Sequence, residues 1–385
     1  MIMRTTLATI WQSQRPANWL DQKIQGRDNR FDQVRLILAL TVVLGHSWYI
    51  AVGPDVNVPF VSLTIHGFHQ YAVYLFFFIS GLLVTESARR REGKLIGFVL
   101  ARADRIFPGL IVCALLTPPL LMVCGAWENG DVVSALRYSL RLIGLISPEF
   151  EVPSFLPNAP FPHAVNGSVW SLRHEAGAYA LVGIAAASGV FFQGFTGIGV
   201  YTCVLLSISI LGHALAGHSA SGAAFLLVEG RYVIVAFLLG VLAHRLARWI
   251  PICWPVLVTA WMTAALLRSF LPDWATIYAF IATFSYTAIY FSYTGECASG
   301  LRYDISYGVY IYGWPVQQLV LMSFMSLTGS PPRPEILFAL SLLVLAPIAF
   351  ASWLLVERPA LRHGLQKHLG GKSWRLRGIN ALNWA

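Results

Sequence analysis

The chain has 385 residues, of which 56% are hydrophobic, 13% aromatic and only 12% charged, with a formal net charge of +9. Soluble domains carry about 25% charged residues, so this composition excludes an ordinary soluble enzyme, and the wealth of apolar side chains excludes a disordered chain. At about 20 apolar residues per span, the length holds roughly ten transmembrane helices in one compact bundle.

The first segment, residues 1–33, is basic and lacks an apolar core followed by a small-residue cleavage site, so it reads as a cytoplasmic segment and not as a signal peptide. Apolar runs bounded by charge, Pro or Gly then predict spans over 34–53, 69–88, 107–126, 172–192, 196–215, 225–245, 253–270, 274–294, 305–326 and 336–356. Their length and uniform apolarity suit helices and not barrel strands. The expected fold is therefore all-α: a polytopic bundle of about ten transmembrane helices spanning 34–356, followed by a basic cytoplasmic tail over 357–385. Most of the 27 Lys and Arg residues fall on one side of this alternation, before the first span, between the second and third, and after the tenth. That side, with both termini, is expected to be cytoplasmic. The longest outer connection, about 127–171, holds an amphipathic stretch (Val132, Val133, Leu136, Leu140, Ile143) and then Pro148, Pro153, Pro157, Pro160 and Pro162. Such spacing favours an extended, semi-rigid path, read here as a cover over the outer mouth.

Ionisable groups within spans are functional candidates by default. His46 lies eleven residues beyond Arg35, and eleven steps of 100° return to within about 20° of the same helix face over a rise of about 16 Å. The stripe starts at the cytoplasmic rim and ends near mid-depth. His46 can be a core histidine bonded to a carbonyl or a catalytic imidazole; Arg35 can be a topology anchor or its companion. Glu175 falls about 7 to 8 Å below the outer rim if its span enters near Trp170, and His46 roughly 14 Å below it. The two could pair, since a carboxylate orients and supports a general-base imidazole, or Glu175 could pair locally with Arg173. Arg102 and Arg105, three apart before the third span, are either positive-inside anchors or a phosphate clamp. Pro315 leaves the Ile311 carbonyl without its usual donor and should kink the helix around a cavity. The five cysteines are scattered, and His66 and His69 lack a third ligand, so no metal is expected.

Six segments in order carry a resemblance: FDQVRLILALTVVLGHS (31–47), FFFISGLLV (76–84), RADRIFPGL (102–110), NGSVWSLRHE (166–175), SYGVYIYGWPV (306–316) and LLVERPALR (354–362). Together they resemble the acyltransferase 3 family of integral-membrane acyltransferases, which modify bacterial surface and exported saccharides. The likeness spans about residues 29 to 362. It implies an O-acetyltransferase of the bacterial cytoplasmic membrane that moves an acyl group, commonly acetyl, from cytoplasmic acetyl-CoA to a hydroxyl of a saccharide or lipid-linked glycan. His46 matches the residue regarded as catalytic and Arg35 its basic companion. Arg102 and Arg105 match the arginine motif associated with the donor, and Glu175 the acidic position that closes the WSLxxE motif. Gly313 stands where many relatives have His. Asn166, Trp170, Tyr310 and Trp314 would then shape a sugar or acyl pocket, with no metal and no nucleic acid involved, and polysaccharide assembly machinery as a partner. Two other classes stay open on the residues alone. A proton-coupled transporter of a saccharide or small anion would use His46 and Glu175 as a relay, and a structural partner in an export complex would need neither.

Overall fold

The computed structural model describes residues 18–24, 26, 29–58, 61–90, 95–146, 152–187, 189, 194–216, 222–294 and 303–365. The basic residues Arg4, Arg15, Arg27, Arg302, Lys367, Lys372, Arg375 and Arg377, with Pro148, His218 and Cys297, lie outside the described residues. Among the described residues the fold is all-α, with two isolated β-bridges and no strand.

Eleven helices of the described residues carry the fold: α1 Phe31–Val52, α2 Phe68–Arg90, α3 Leu95–Val123, α4 Val132–Gly144, α5 Trp170–Ala187, α6 Gly194–Leu215, α7 Gly222–Arg245, α8 Trp254–Leu267, α9 Asp273–Tyr293, α10 Ser306–Thr328 and α11 Pro334–Ser352. A π turn, Trp353–Glu357, continues α11 into a last short helix, Arg358–His363. Five stretches are long and apolar enough to cross a membrane: Phe31–Val52, Phe68–Arg90, Leu95–Val123, Phe225–Arg245 and Pro334–His363. The exterior is apolar while the interior holds polar groups. Leu343 is 74% and Met262 68% exposed, whereas Gln317 and Gln318 are fully buried. A surface of that kind fits lipid and not water.

The most enclosed long helix is α2, which packs against α1, α5, α7 and α9. Glycines set how near α7 comes. A Cβ on Gly81 would lie 2.0 Å from the Phe237 carbonyl oxygen, and one on Gly240 would lie 2.1 Å from that of Phe78. The two backbones meet through reciprocal bare positions, the packing that small residues permit between membrane helices.

The third helix differs from expectation: it begins at Leu95 and not near residue 107, so Arg102 and Arg105 sit inside it. Their charge read as a boundary in the sequence, but both side chains turn into the bundle, where carboxylates and tyrosines receive them. The connection after α3 also folds more than its prolines suggest. Asp131 caps α4 by accepting from the Ser134 amide at 3.0 Å, and the amphipathic stretch is that helix. Beyond it, residues 152–169 double back through Val152 N–H to His163 O (2.7 Å) and His163 N–H to Phe155 O (3.0 Å). Phe155, Val165, Asn166 and Ser168 from this segment are buried in the bundle.

The arginine-rich helix ends gather at one end. The Arg30 amide at the start of α1 donates to Ser292 O near the end of α9, and His244 of α7 meets Glu86 of α2 at 2.9 Å. Arg89 and Arg90 bond the same glutamate.

Candidate functional site

His46 is placed by α1 among groups from three other segments. Its ring meets Trp314 of α10 edge-on at 4.9 Å and His69 of α2 at 6.3 Å. Its Nδ1 lies 3.5 Å from Ser168 Oγ of the folded-back segment. The residue is 8% exposed. Close approach makes this possible. A Cβ on Gly45 would fall 2.3 Å from His69 Cβ, and one on Gly313 would fall 2.8 Å from Val43 Cγ2, so a larger residue at 313 would require the Val43 side chain to shift. Gln317, one turn past Gly313, donates Nε2 to Val43 O (2.9 Å) and Ser47 Oγ (2.7 Å). These bonds pin the two helices beside the imidazole.

Pro315 does free the Ile311 carbonyl, and the acceptor is claimed at once. Asn166 donates Nδ2 to it at 2.8 Å, with the Cys113 thiol at 3.5 Å. The other end of the Asn166 amide accepts from the Ser168 backbone N–H at 3.0 Å. A proline in one helix thus holds, through one amide, the serine that faces His46. Trp314 Nε1 donates to Ala164 O at 3.0 Å and fastens the same segment a second time.

A second group of residues lies toward the arginine-rich end, around a cavity of about 90 Å³ lined by Arg35, Arg102, Arg105, Glu175, Ser80 and Tyr310, with other side chains. Here a buried acid organises the cations. Asp304 accepts from Arg105 Nη2 at 2.7 Å and faces Arg35 Nη1 at 3.5 Å, while its other oxygen accepts from Ser306 Oγ at 2.6 Å. Burial alone would raise the Asp304 carboxyl, but Arg105 and Arg35 outweigh it and hold the group ionised below the usual carboxylate range. Arg35 also pairs with Asp32 at 3.3 Å. Arg102 differs from both: its guanidinium lies 5.7 Å from the Tyr179 ring centre, its buried Nε has no partner, and among the described residues no carboxylate bonds it.

Glu175 belongs to this second group. Its Oε1 accepts from Ser80 Oγ at 3.2 Å and from the Tyr179 hydroxyl. Among the described residues no hydrogen bond or ion pair joins Glu175 to His46, so the expected pairing is not the one found; Ser168 stands at the imidazole instead. Nor does Arg173 pair with Glu175; it pairs with Glu229 across to α7. Trp170 meets His174 edge-on at 5.6 Å and is not among the residues that line the cavity. Tyr310 joins the two groups. Its hydroxyl meets Ser171 Oγ at 2.8 Å in the cavity, and one turn further along α10 Trp314 packs on His46.

Asp304 and Ser168 escaped the sequence reading. Each had a signal: Asp304 sits two residues before the SYG motif, and Ser168 lies inside NGSVWS. Among the described residues no set of three His, Cys, Asp or Glu is placed to hold a metal ion.

Comparison with known proteins agrees in kind. Residues 28–356 match a family described as an acyltransferase domain. The chain is 28% identical over 353 residues to an O-acetyl transferase of Shigella phage Sf6, covering 89% of this chain and 98% of that protein. It is 33% identical over 114 residues to nodulation protein 10 of Rhizobium leguminosarum bv. viciae, covering 29% of this chain and 30% of that protein. No solved structure matches it.

Proposed function

The chain belongs to the acyltransferase domain family, and on that premise we propose that it is a membrane-embedded O-acyltransferase, moving an acetyl group from acetyl-CoA to a saccharide hydroxyl with His46 as general base. In this reading all ten expected segments cross the bilayer, the arginine-rich end faces the bacterial cytoplasm, and donor and acceptor enter from opposite sides. The phage relative's designation as an O-acetyl transferase supports the acetyl assignment.

The observation that carries the reading is the succession of the arginine-lined cavity, Tyr310 and His46 along α1 and α10. The cavity suits the donor. It is too small for a nucleotide, and Arg102, whose buried Nε has no hydrogen-bond partner there, offers a cation to a phosphate at the rim. When bound, the donor supplies the acyl carbon as a thioester.

The residues of the chain do the rest. Ser168 at Nδ1 fixes the His46 ring and leaves Nε2 to take the proton of the acceptor hydroxyl. The freed oxygen bonds the acyl carbon as the carbon–sulfur bond breaks, and the imidazolium returns its proton to the departing sulfur. Glu175 holds Ser80 and Tyr179 in the cavity wall and acts on the donor side, not on the imidazole.

Acyl content of the surface polysaccharide, by NMR before and after mild alkali, tests this in a deletion strain complemented with wild type, His46→Ala or Arg35→Ala. Wild type should restore the ester and His46→Ala should not. Full ester from His46→Ala would end the mechanism while leaving the family membership intact.

A further inference from the structure

At the end of the bundle opposite the arginine-lined cavity, α6, α7 and α9 gather a cluster of rings that the reaction above does not use. His213 lies 5.2 Å from Trp274 and 5.7 Å from Tyr232, and Tyr232 lies 5.3 Å from Tyr278. The Arg231 guanidinium sits 4.6 Å over the Tyr232 ring. Trp274 is 47% exposed, so the cluster opens to the surface. Two of its buried polar atoms, His213 Nε2 and Arg231 Nε, have no hydrogen-bond partner. Orphaned buried donors or acceptors cost free energy and point to a missing occupant.

The cluster also leads to the reaction centre. The His66 ring stands 5.1 Å from Tyr232, and three residues on, His69 brings its ring to 6.3 Å from His46. Rings therefore run from the surface at Trp274 to His66, and His69, three residues from it in sequence, faces the imidazole of His46. Flat rings beside unsatisfied planar polar groups suit a sugar: ring faces take its C–H surface, and the imidazole and guanidinium take its hydroxyls.

We propose that this cluster is a saccharide subsite that holds a sugar unit other than the one acylated, so that the acceptor is an oligosaccharide and not a single sugar. The proposal rests on the acyltransferase reading, but its test does not. The probes are oligosaccharides released by partial hydrolysis of the alkali-treated surface polysaccharide of the deletion strain, and the methyl glycosides of its single sugars. Binding to the full chain in detergent is followed by saturation-transfer NMR without any donor present.

Trp274→Ala and His213→Ala should each weaken oligosaccharide binding about tenfold, the scale of one lost ring contact. Trp274→Phe should keep most of it, and binding of the single sugars should not change. Trp254→Ala, which removes an exposed tryptophan from the opposite end, should have no effect. No binding by wild type, or equal affinity in wild type, Trp274→Ala and His213→Ala, would overturn the subsite. A chain that binds the oligosaccharide through these residues yet forms no ester in the complemented strain would refute the enzyme reading and leave the subsite standing.

Discussion

Three arginines face the cavity, but two are already paired by Asp304, which divides their tasks. Removing one partner of a buried ion pair costs about 3–5 kcal/mol, because the charge left behind has no compensation. Asp304→Ala should therefore lower the melting temperature of the detergent-solubilised protein. Arg102→Ala should leave melting unchanged and weaken CoA binding at least tenfold by titration calorimetry; an unchanged affinity would remove Arg102 as the anion site. Asn166→Leu, which returns the Ile311 carbonyl to a weak thiol donor, should cost about 1–3 kcal/mol and reduce turnover by freeing Ser168. At this scale the sequence was partly legible. The stripe from Arg35 to His46 follows from helical periodicity and survives in the fold, since both side chains face the interior. The partner of Glu175 was not legible. Depth and relative facing within one helix can be counted from residue spacing, but how one helix is turned toward another cannot, and that turn sends Glu175 to Tyr179 and Ser80.

Between elements, the crossing of α2 and α7 depends on bare backbone at Gly81 and Gly240. A side chain there meets a carbonyl oxygen of the facing helix, which cannot rotate away. Gly81→Leu and Gly240→Leu should each abolish accumulation of folded protein, read by fluorescence-detected gel filtration, whereas Gly97→Leu, in open space on α3, should not. The helices themselves were largely legible, because long apolar runs leave the backbone few alternatives in lipid. Their ends were less so. Charge predicts a start near residue 107 for the third span, yet Arg102 and Arg105 lie inside α3, and Arg105 reaches the buried Asp304. The turn Trp353–Glu357 likewise carries helix through the end of the tenth expected span and buries Glu357, which accepts from Ser352 Oγ at 2.9 Å. The prolines of 152–169 indicated absence of helix but not the fold-back, which needs Ala126 O to receive the Leu156 amide.

For the whole molecule, one native cysteine can report the orientation in the bilayer. Cys124 is exposed at the end of α3 that lies away from the arginines. In a chain whose other cysteines are replaced by alanine, a membrane-impermeant maleimide added to intact spheroplasts should label Cys124. It should not label a cysteine placed at Arg248 in the same background until the membrane is opened. The reverse pattern would invert the topology and put the donor cavity on the wrong side. That the arginines collect at one end was legible from charge bias; that they also build a cavity was not, because anchors and ligands share the same composition.

The enclosure of α2 bears on how the molecule is born. It is among the first helices to leave the ribosome, yet it carries Thr85, Glu86 and His69, all buried in the finished bundle, and the His244 that meets Glu86 lies on α7, far later in translation. Until α7 arrives, that carboxylate has only the arginines of its own last turn for company in the bilayer. Nascent chains arrested before α7 should accordingly stay with the insertion machinery or be degraded, and co-translational pulldowns should find α2 released only after residue 245 has emerged.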